Sequence, residues 1–101
     1  MQSLKIHITG KVYHTGYRYF IKQKASQFDI TGCVFYCPDR SVEILAIGEN
    51  NNLDEFVKHC RHGNNDSVVE EIKLSEIPSV ALDSFEVVDE ETSINAIVHD
   101  N

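Results

Sequence analysis

What this sequence has least of is positive charge. Nine Lys and Arg stand against sixteen Asp and Glu, a net charge of −7 at neutral pH. The acids gather at Glu70, Glu71 and Glu76 and again from Asp83 to Glu91. Such a field repels nucleic acid and anionic membrane surfaces, so neither is expected as a partner. Long hydrophobic runs are missing too. No stretch approaches the ~18 apolar residues of a membrane span. Met1-Gln2-Ser3-Leu4-Lys5 enters an alternating pattern at once, so no signal peptide is expected and the chain reads as cytoplasmic. Cysteine is sparse and odd in number: Cys33, Cys37 and Cys60. Without a secretory signal that count argues for reduced thiols, not a disulfide framework. On a strand, Cys33 and Cys37 would lie roughly 13 Å apart, too far to share one ion. They read as small, half-buried side chains. Repeats and low-complexity tracts are absent as well.

What is present is ordinary for a small globular chain: 42% hydrophobic and 25% charged residues in 101. That length predicts one domain, with a modest core. Leu4, Ile6 and Ile8 alternate with polar residues, the mark of a strand with one buried face. From Tyr17 to Phe28 the period changes, and Phe20, Ile21, Ala25 and Phe28 fall on one helical stripe. Cys33 to Tyr36 and Ser41 to Ile47 read as a hairpin across the turn "CPDRS". Leu53, Phe56, Val57 and Cys60 predict a second helix, with Asn52 as N-cap and Glu55 completing a variant capping box. Gly63 ends it. Ser67 to Ile77 alternates with a slip at Val69, which a β-bulge near Glu70-Glu71 would explain. Leu82 to Val88 is a further candidate strand. Ile94 to His99 is either a short extra strand or a tail.

The order β-α-β-β-α-β, with an extra C-terminal strand left open, points to an α+β fold. The economical arrangement is a ferredoxin-like split βαβ sandwich: an antiparallel sheet, both helices on one face, the other face largely solvated. The core is expected over about residues 4–88, with 89–101 as an acidic extension.

The chemistry concentrates in "TGKVYHTGYRYF", Thr9 to Phe20. A helix start leaves backbone N–H groups without partners, and a loop around it can aim several at one anion. Gly16 permits the turn. Arg18 offers a permanent charge and a planar fork suited to phosphate oxygens. The other reading is a plain strand-to-helix turn with a surface arginine. His59 and His62 are spaced i, i+3, within reach of one metal, but their place in the last helical turn reads as dipole complementation.

Residues 10–18, "GKVYHTGYR", resemble the acylphosphatase signature G-x-V-Q-G-V-G-F-R. Gly10, Val12, Gly16 and Arg18 match, and Tyr17 nearly matches Phe. "GCVFYCPDRSV", Gly32 to Val42, is similar to that family's second signature, G-W-V-x-N-x-x-x-G-x-V, at Gly32, Val34 and Val42. "FVKHCRHGNNDSVVEEI" and "FEVV" resemble later segments, so the likeness spans about Leu4 to Val88. It implies the same sandwich, and hydrolysis of carboxylic–phosphoric anhydrides without metal or cofactor. It implies that the Tyr13, His14, Thr15, Gly16, Tyr17 and Arg18 loop binds the phosphoryl group of an acyl phosphate, or inorganic phosphate, with Arg18 as the arginine.

Several positions depart from the pattern, Thr15 (for Val) and Cys33 (for Trp) among them. The asparagine that orients the attacking water is Tyr36, and no asparagine occurs between Asp29 and Glu49. The family's Gln and Gly in the loop are Tyr13 and His14, and the hairpin-turn glycine is Arg40. His14 is either a base or phosphate ligand or a loop histidine. Tyr36 either bonds a phosphate or fills the place of the water. Three functions follow: an acyl-phosphate binder with slow or lost hydrolysis, a fully active acylphosphatase using a substitute water-positioning group, or a protein-interaction domain whose sheet edge or acidic tail meets an unknown partner.

Overall fold

The computed structural model describes residues 1–89. Its elements are β1 (Gln2–Lys11), α1 (Tyr17–Gln27), β2 (Thr31–Tyr36), β3 (Val42–Gly48), α2 (Asn50–His62), β4 (Val68–Glu76) and β5 (Phe85–Val87). The five strands form one sheet in the order β4-β1-β3-β2-β5. This is the expected ferredoxin-like α+β arrangement with a C-terminal strand added. The candidate strand at Ile94–His99 lies outside the described residues. Among the described residues no helix is long and apolar enough to cross a membrane.

Strand alternation does what its period predicts. Ile6, Ile8, Val34, Val42, Ile44 and Ala46 are buried on one face of the sheet. The helices cover that face with Tyr17, Ile21 and Ala25 from α1 and Leu53, Phe56 and Cys60 from α2. At roughly 25 cal/mol per Å², burying such side chains is the main force holding the layers together. Burial also pushes the Cys33 thiol up to about 12 and raises Cys60 and the Tyr17 phenol further.

The bulge expected in β4 is present. Thr9 pairs with Glu71 and Gly10 with Val69, so Glu70 is the extra residue. Gly10 lies at φ 131°, and a Cβ there would stand 2.2 Å from the Val68 carbonyl oxygen. Glycine is required by that close approach.

Three expectations are corrected. The sheet is mixed, because β5 runs parallel to β2. After edge strand β4 the chain crosses to the opposite edge, and that crossing sets β5's direction. For the same reason the second sheet face is solvated only over β1 and β4, where Lys5, Glu71 and Lys73 are exposed, and is covered over β2 and β3. Cys33, Phe35, Leu45 and Ile47 are buried there under Ile77, Val80 and Leu82 of the crossing segment. Ser3 anchors the crossing, its carbonyl accepting from Ile77 N–H at 3.0 Å. Third, α2 begins at Asn50, not after Asn52. Glu49 is the N-cap in an extended conformation, with no side-chain cap bond, and its carbonyl accepts from Leu53 N–H at 2.9 Å. The end of β3 delivers the chain directly into the helix, so Asn52 falls inside the first turn.

Candidate active site

The loop between β1 and α1 is built from two fixed ends. Val12 is fully buried. The Thr15 hydroxyl donates to the Val12 carbonyl at 2.9 Å, and Asn64 Nδ2 donates to the Thr15 carbonyl at 2.8 Å. Between these ties, His14 (φ 57°) and Gly16 (φ 77°) adopt left-handed conformations. Left-handed residues in a short loop curl the backbone into a concavity that turns N–H groups inward. Gly16 is the N-cap of α1, and its carbonyl accepts from Phe20 N–H at 3.0 Å. Among the described residues no side chain caps that turn, so the N–H groups of Tyr17, Arg18 and Tyr19 remain without helical partners. The positive end of the helix dipole points the same way.

Tyr17 divides into two roles. Its side chain is fully buried, and its hydroxyl donates to the Cys60 carbonyl at 2.7 Å. That carbonyl is in the last turn of α2, where helical partners run out. Only the Tyr17 backbone can face a ligand.

Arg18 lies along the mouth of the loop, with its side chain 16% exposed. Nη1 donates to the Val88 carbonyl at 3.4 Å and stands 3.8 Å from the Asp89 carboxylate. Nε is buried and has no hydrogen-bond partner among the described residues. The guanidinium carbon sits 4.1 Å from the centre of the Tyr36 ring.

Tyr36, at the end of β2, reaches into the loop. Its hydroxyl accepts a hydrogen bond from His14 N–H at 2.8 Å. One amide of the concavity is thus already engaged by a phenol oxygen. Tyr13 packs between, with ring centres 4.7 Å from Tyr36 and 3.9 Å from His14. Arg40 covers its outer side, 4.7 Å from the Tyr13 ring. The result is a stack in the order Arg40, Tyr13, Tyr36, Arg18. Each cation–π contact is worth about 0.5–1 kcal/mol at exposed sites.

The six loop residues and Tyr36 therefore come together around one helix end. His59 and His62 lie in the last turn of α2, outside this cluster. Asn64 was missed by sequence reasoning, which took it as loop. Its Oδ1 is also buried, without a partner among the described residues. A carboxamide just beyond a helix-ending glycine is a common loop residue, and nothing local marks it as a tie to Thr15.

The family model for acylphosphatases matches residues 4–87. An acylphosphatase of Clostridium acetobutylicum is 38% identical over 89 residues, covering 87% of this chain and 98% of that protein. This chain belongs to the acylphosphatase family. A second acylphosphatase, from Archaeoglobus fulgidus, is 33% identical over 86% of this chain and 98% of its own length. The crystal structure of the Bacillus subtilis acylphosphatase superposes with a TM-score of 0.84, at 34% identity, covering 87% of this chain and 99% of that one. Tyr13, His14, Tyr36 and Arg40, positions at which the sequence reading expected departures from the signature, form one contiguous cluster. His14 and Arg40 (φ 69°) both hold left-handed conformations. Positive φ is a conformation that glycine adopts most readily, and here two residues with side chains hold it.

Proposed function

We propose that this chain binds the phosphoryl group of an acyl phosphate in the Tyr13–Arg18 loop and hydrolyses the anhydride slowly or not at all. The binding half is supported by the uncapped amides of α1 and the unpartnered Arg18 Nε. Both are donors suited to phosphate oxygens. In the full reaction, water attacks phosphorus and the bond from phosphorus to the acyl oxygen breaks. Carboxylate and inorganic phosphate leave, and the water's proton passes to solvent. The protein need form no covalent bond, so positioning the water decides the rate.

The observation that carries the reading is the Tyr36 hydroxyl on His14 N–H at 2.8 Å. A short carboxamide at this position could accept from a water and donate to a substrate oxygen. The phenol instead fills that space with a ring and spends its oxygen on the loop.

The test is phosphate release from benzoyl phosphate by wild type, Arg18→Ala and Tyr36→Asn, with phosphate titrations followed at the amides of residues 13–18. Wild type is expected to bind phosphate and turn over poorly, Arg18→Ala to lose binding, and Tyr36→Asn to gain turnover. Rapid hydrolysis by wild type that disappears in Arg18→Ala overturns the slow-enzyme reading. Absence of any amide shift with phosphate overturns the site itself.

A further inference from the structure

A second group of side chains, on the sheet face away from the helices, has the makings of a metal site. His7 on β1 is the direct cross-strand partner of Glu43 on β3. Glu43 in turn pairs with Phe35 on β2. Directly paired residues project from the same face of a sheet. Cys37 stands two residues beyond Phe35, so it returns to that face. One ligand-type atom from each of His7, Cys37 and Glu43 lies within 4.8 Å of the other two. All three are half-buried.

We propose that His7, Cys37 and Glu43 bind a divalent zinc-class cation. A nitrogen, a thiolate sulfur and a carboxylate oxygen are the donors such an ion takes, and a water would complete a tetrahedron. In a tetrahedral zinc site the donor atoms stand about 3.3–3.7 Å apart. Separations of up to 4.8 Å must therefore close by roughly 1 Å, a distance on the scale of side-chain rotation. The scaffold is stiff where it matters. The β1–β3 ladder fixes His7 against Glu43, and their side chains already approach to 3.4 Å. Cys37 is held in its turn, its N–H donating to the Ser41 carbonyl at 2.9 Å and its carbonyl accepting from Arg40 N–H at 2.9 Å. Lys5, which pairs with Glu43 at 3.5 Å, is 54% exposed and can swing into solvent. Thiolate and carboxylate together supply two negative charges for a dication. Binding releases the Cys37 thiol proton to solvent, so one proton appears per metal bound.

The three ligand atoms lie outside the phosphate loop but beside it: Cys37 follows Tyr36 in the chain, and its carbonyl holds Arg40, which covers Tyr13. The site also differs from the two pairs that the sequence reading weighed as metal ligands and set aside, Cys33 with Cys37 and His59 with His62.

The experiment uses the full chain, stripped with chelator and titrated with Zn²⁺ alone and with Co²⁺ alone. One equivalent of Zn²⁺ is expected to bind and raise the melting temperature. Co²⁺ should give a thiolate-to-metal charge-transfer band and the strong visible absorption of a tetrahedral site. Cys37→Ser and His7→Gln should each weaken Zn²⁺ binding by at least the ~10–100-fold that loss of even an outer supporting group costs. The double change His59→Gln with His62→Gln should leave binding unchanged. Failure of wild type to bind Zn²⁺, a Co²⁺ complex without the charge-transfer band, affinity that ignores Cys37→Ser and His7→Gln, or binding that vanishes with His59 and His62 overturns the proposal. The Co²⁺ spectrum is read on wild type and does not depend on any variant folding.

Discussion

Replacing Tyr36 by phenylalanine removes one oxygen and leaves the ring. That oxygen accepts from His14 N–H at 2.8 Å, while the ring supports Arg18 at 4.1 Å. The substitution therefore separates the two things Tyr36 does. If the hydroxyl occupies an amide that phosphate would otherwise use, a ligand must displace it before binding. A hydrogen bond of this kind contributes about 0.5–1.5 kcal/mol net. This one lies at the exposed rim of the loop, which puts it in the lower half of that range. Phosphate should then bind Tyr36→Phe about 2–5-fold more tightly than wild type. The measurement is a phosphate titration followed at the amides of residues 13–18, with the His14 resonance expected to move on substitution alone. Stability should change by no more than about 1 kcal/mol. Weaker phosphate binding by a similar factor would mean that the hydroxyl is a ligand for phosphate, and the reasoning would be refuted.

Other consequences are structural. Tyr17→Phe deprives the buried Cys60 carbonyl of its donor and should cost about 1–3 kcal/mol. Urea unfolding should show a lower midpoint with an unchanged slope, and a loss under about 0.5 kcal/mol would contradict the capping role. Gly32→Ala should be among the most damaging single changes. Gly32 is at φ 136°, and a Cβ would stand 1.8 Å from the Leu45 carbonyl oxygen, so about 3 kcal/mol or more is expected in the same assay. Stability should also fall in alkali. Cys33 and Cys60 have an ordinary value of 9.0 and Tyr17 one of 10.0, and folding raises all three. Their contribution is full below those ordinary values and is lost as pH rises toward the folded ones, because the unfolded chain ionises first. Each group then costs about 1.4 kcal/mol per pH unit. Urea midpoints at pH 8, 9 and 10 in wild type and Cys60→Ala would read this, and equal slopes in the two proteins would count against it.

The sequence made much of this fold legible because its two periods are clean. Alternation at Leu4, Ile6 and Ile8 and the helical stripe at Leu53, Phe56 and Cys60 report burial directly, and the structure buries Ile6, Ile8, Leu53, Phe56 and Cys60 and leaves Leu4 half-buried. Even the β4 bulge was readable, since one extra residue reverses every side chain after it. What escaped was set by distant parts of the chain. Local alternation cannot tell whether a strand's second face meets water or a later segment, and here residues 77–84 cross back over it. Nor can it orient β5, whose direction depends on that crossing. The α2 cap was misread because Asn52 has strong cap chemistry, whereas the helix start is dictated by where β3 ends.

The site follows the same division with one further turn. Gly10, Val12, Gly16 and Arg18 could be read in place, since each answers a local demand of the strand-to-helix loop. The substitutions at Tyr13, His14, Tyr36 and Arg40 could only be read one at a time, and singly each looked like damage. In space they touch. His14 keeps the left-handed backbone and turns its N–H to Tyr36, Tyr13 fills the gap between the rings, and Arg40 closes the outer side. Residues in contact are not additive in their effects. Tyr36→Asn alone would thus leave Tyr13 and Arg40 packed against a vacated space, whereas Tyr36→Asn with Tyr13→Gln removes both sides of that contact. If the four side chains act as a unit, the double variant should hydrolyse benzoyl phosphate faster than the product of the two single effects. Simple multiplicativity would show that Tyr13 and Tyr36 act independently and merely happen to be neighbours.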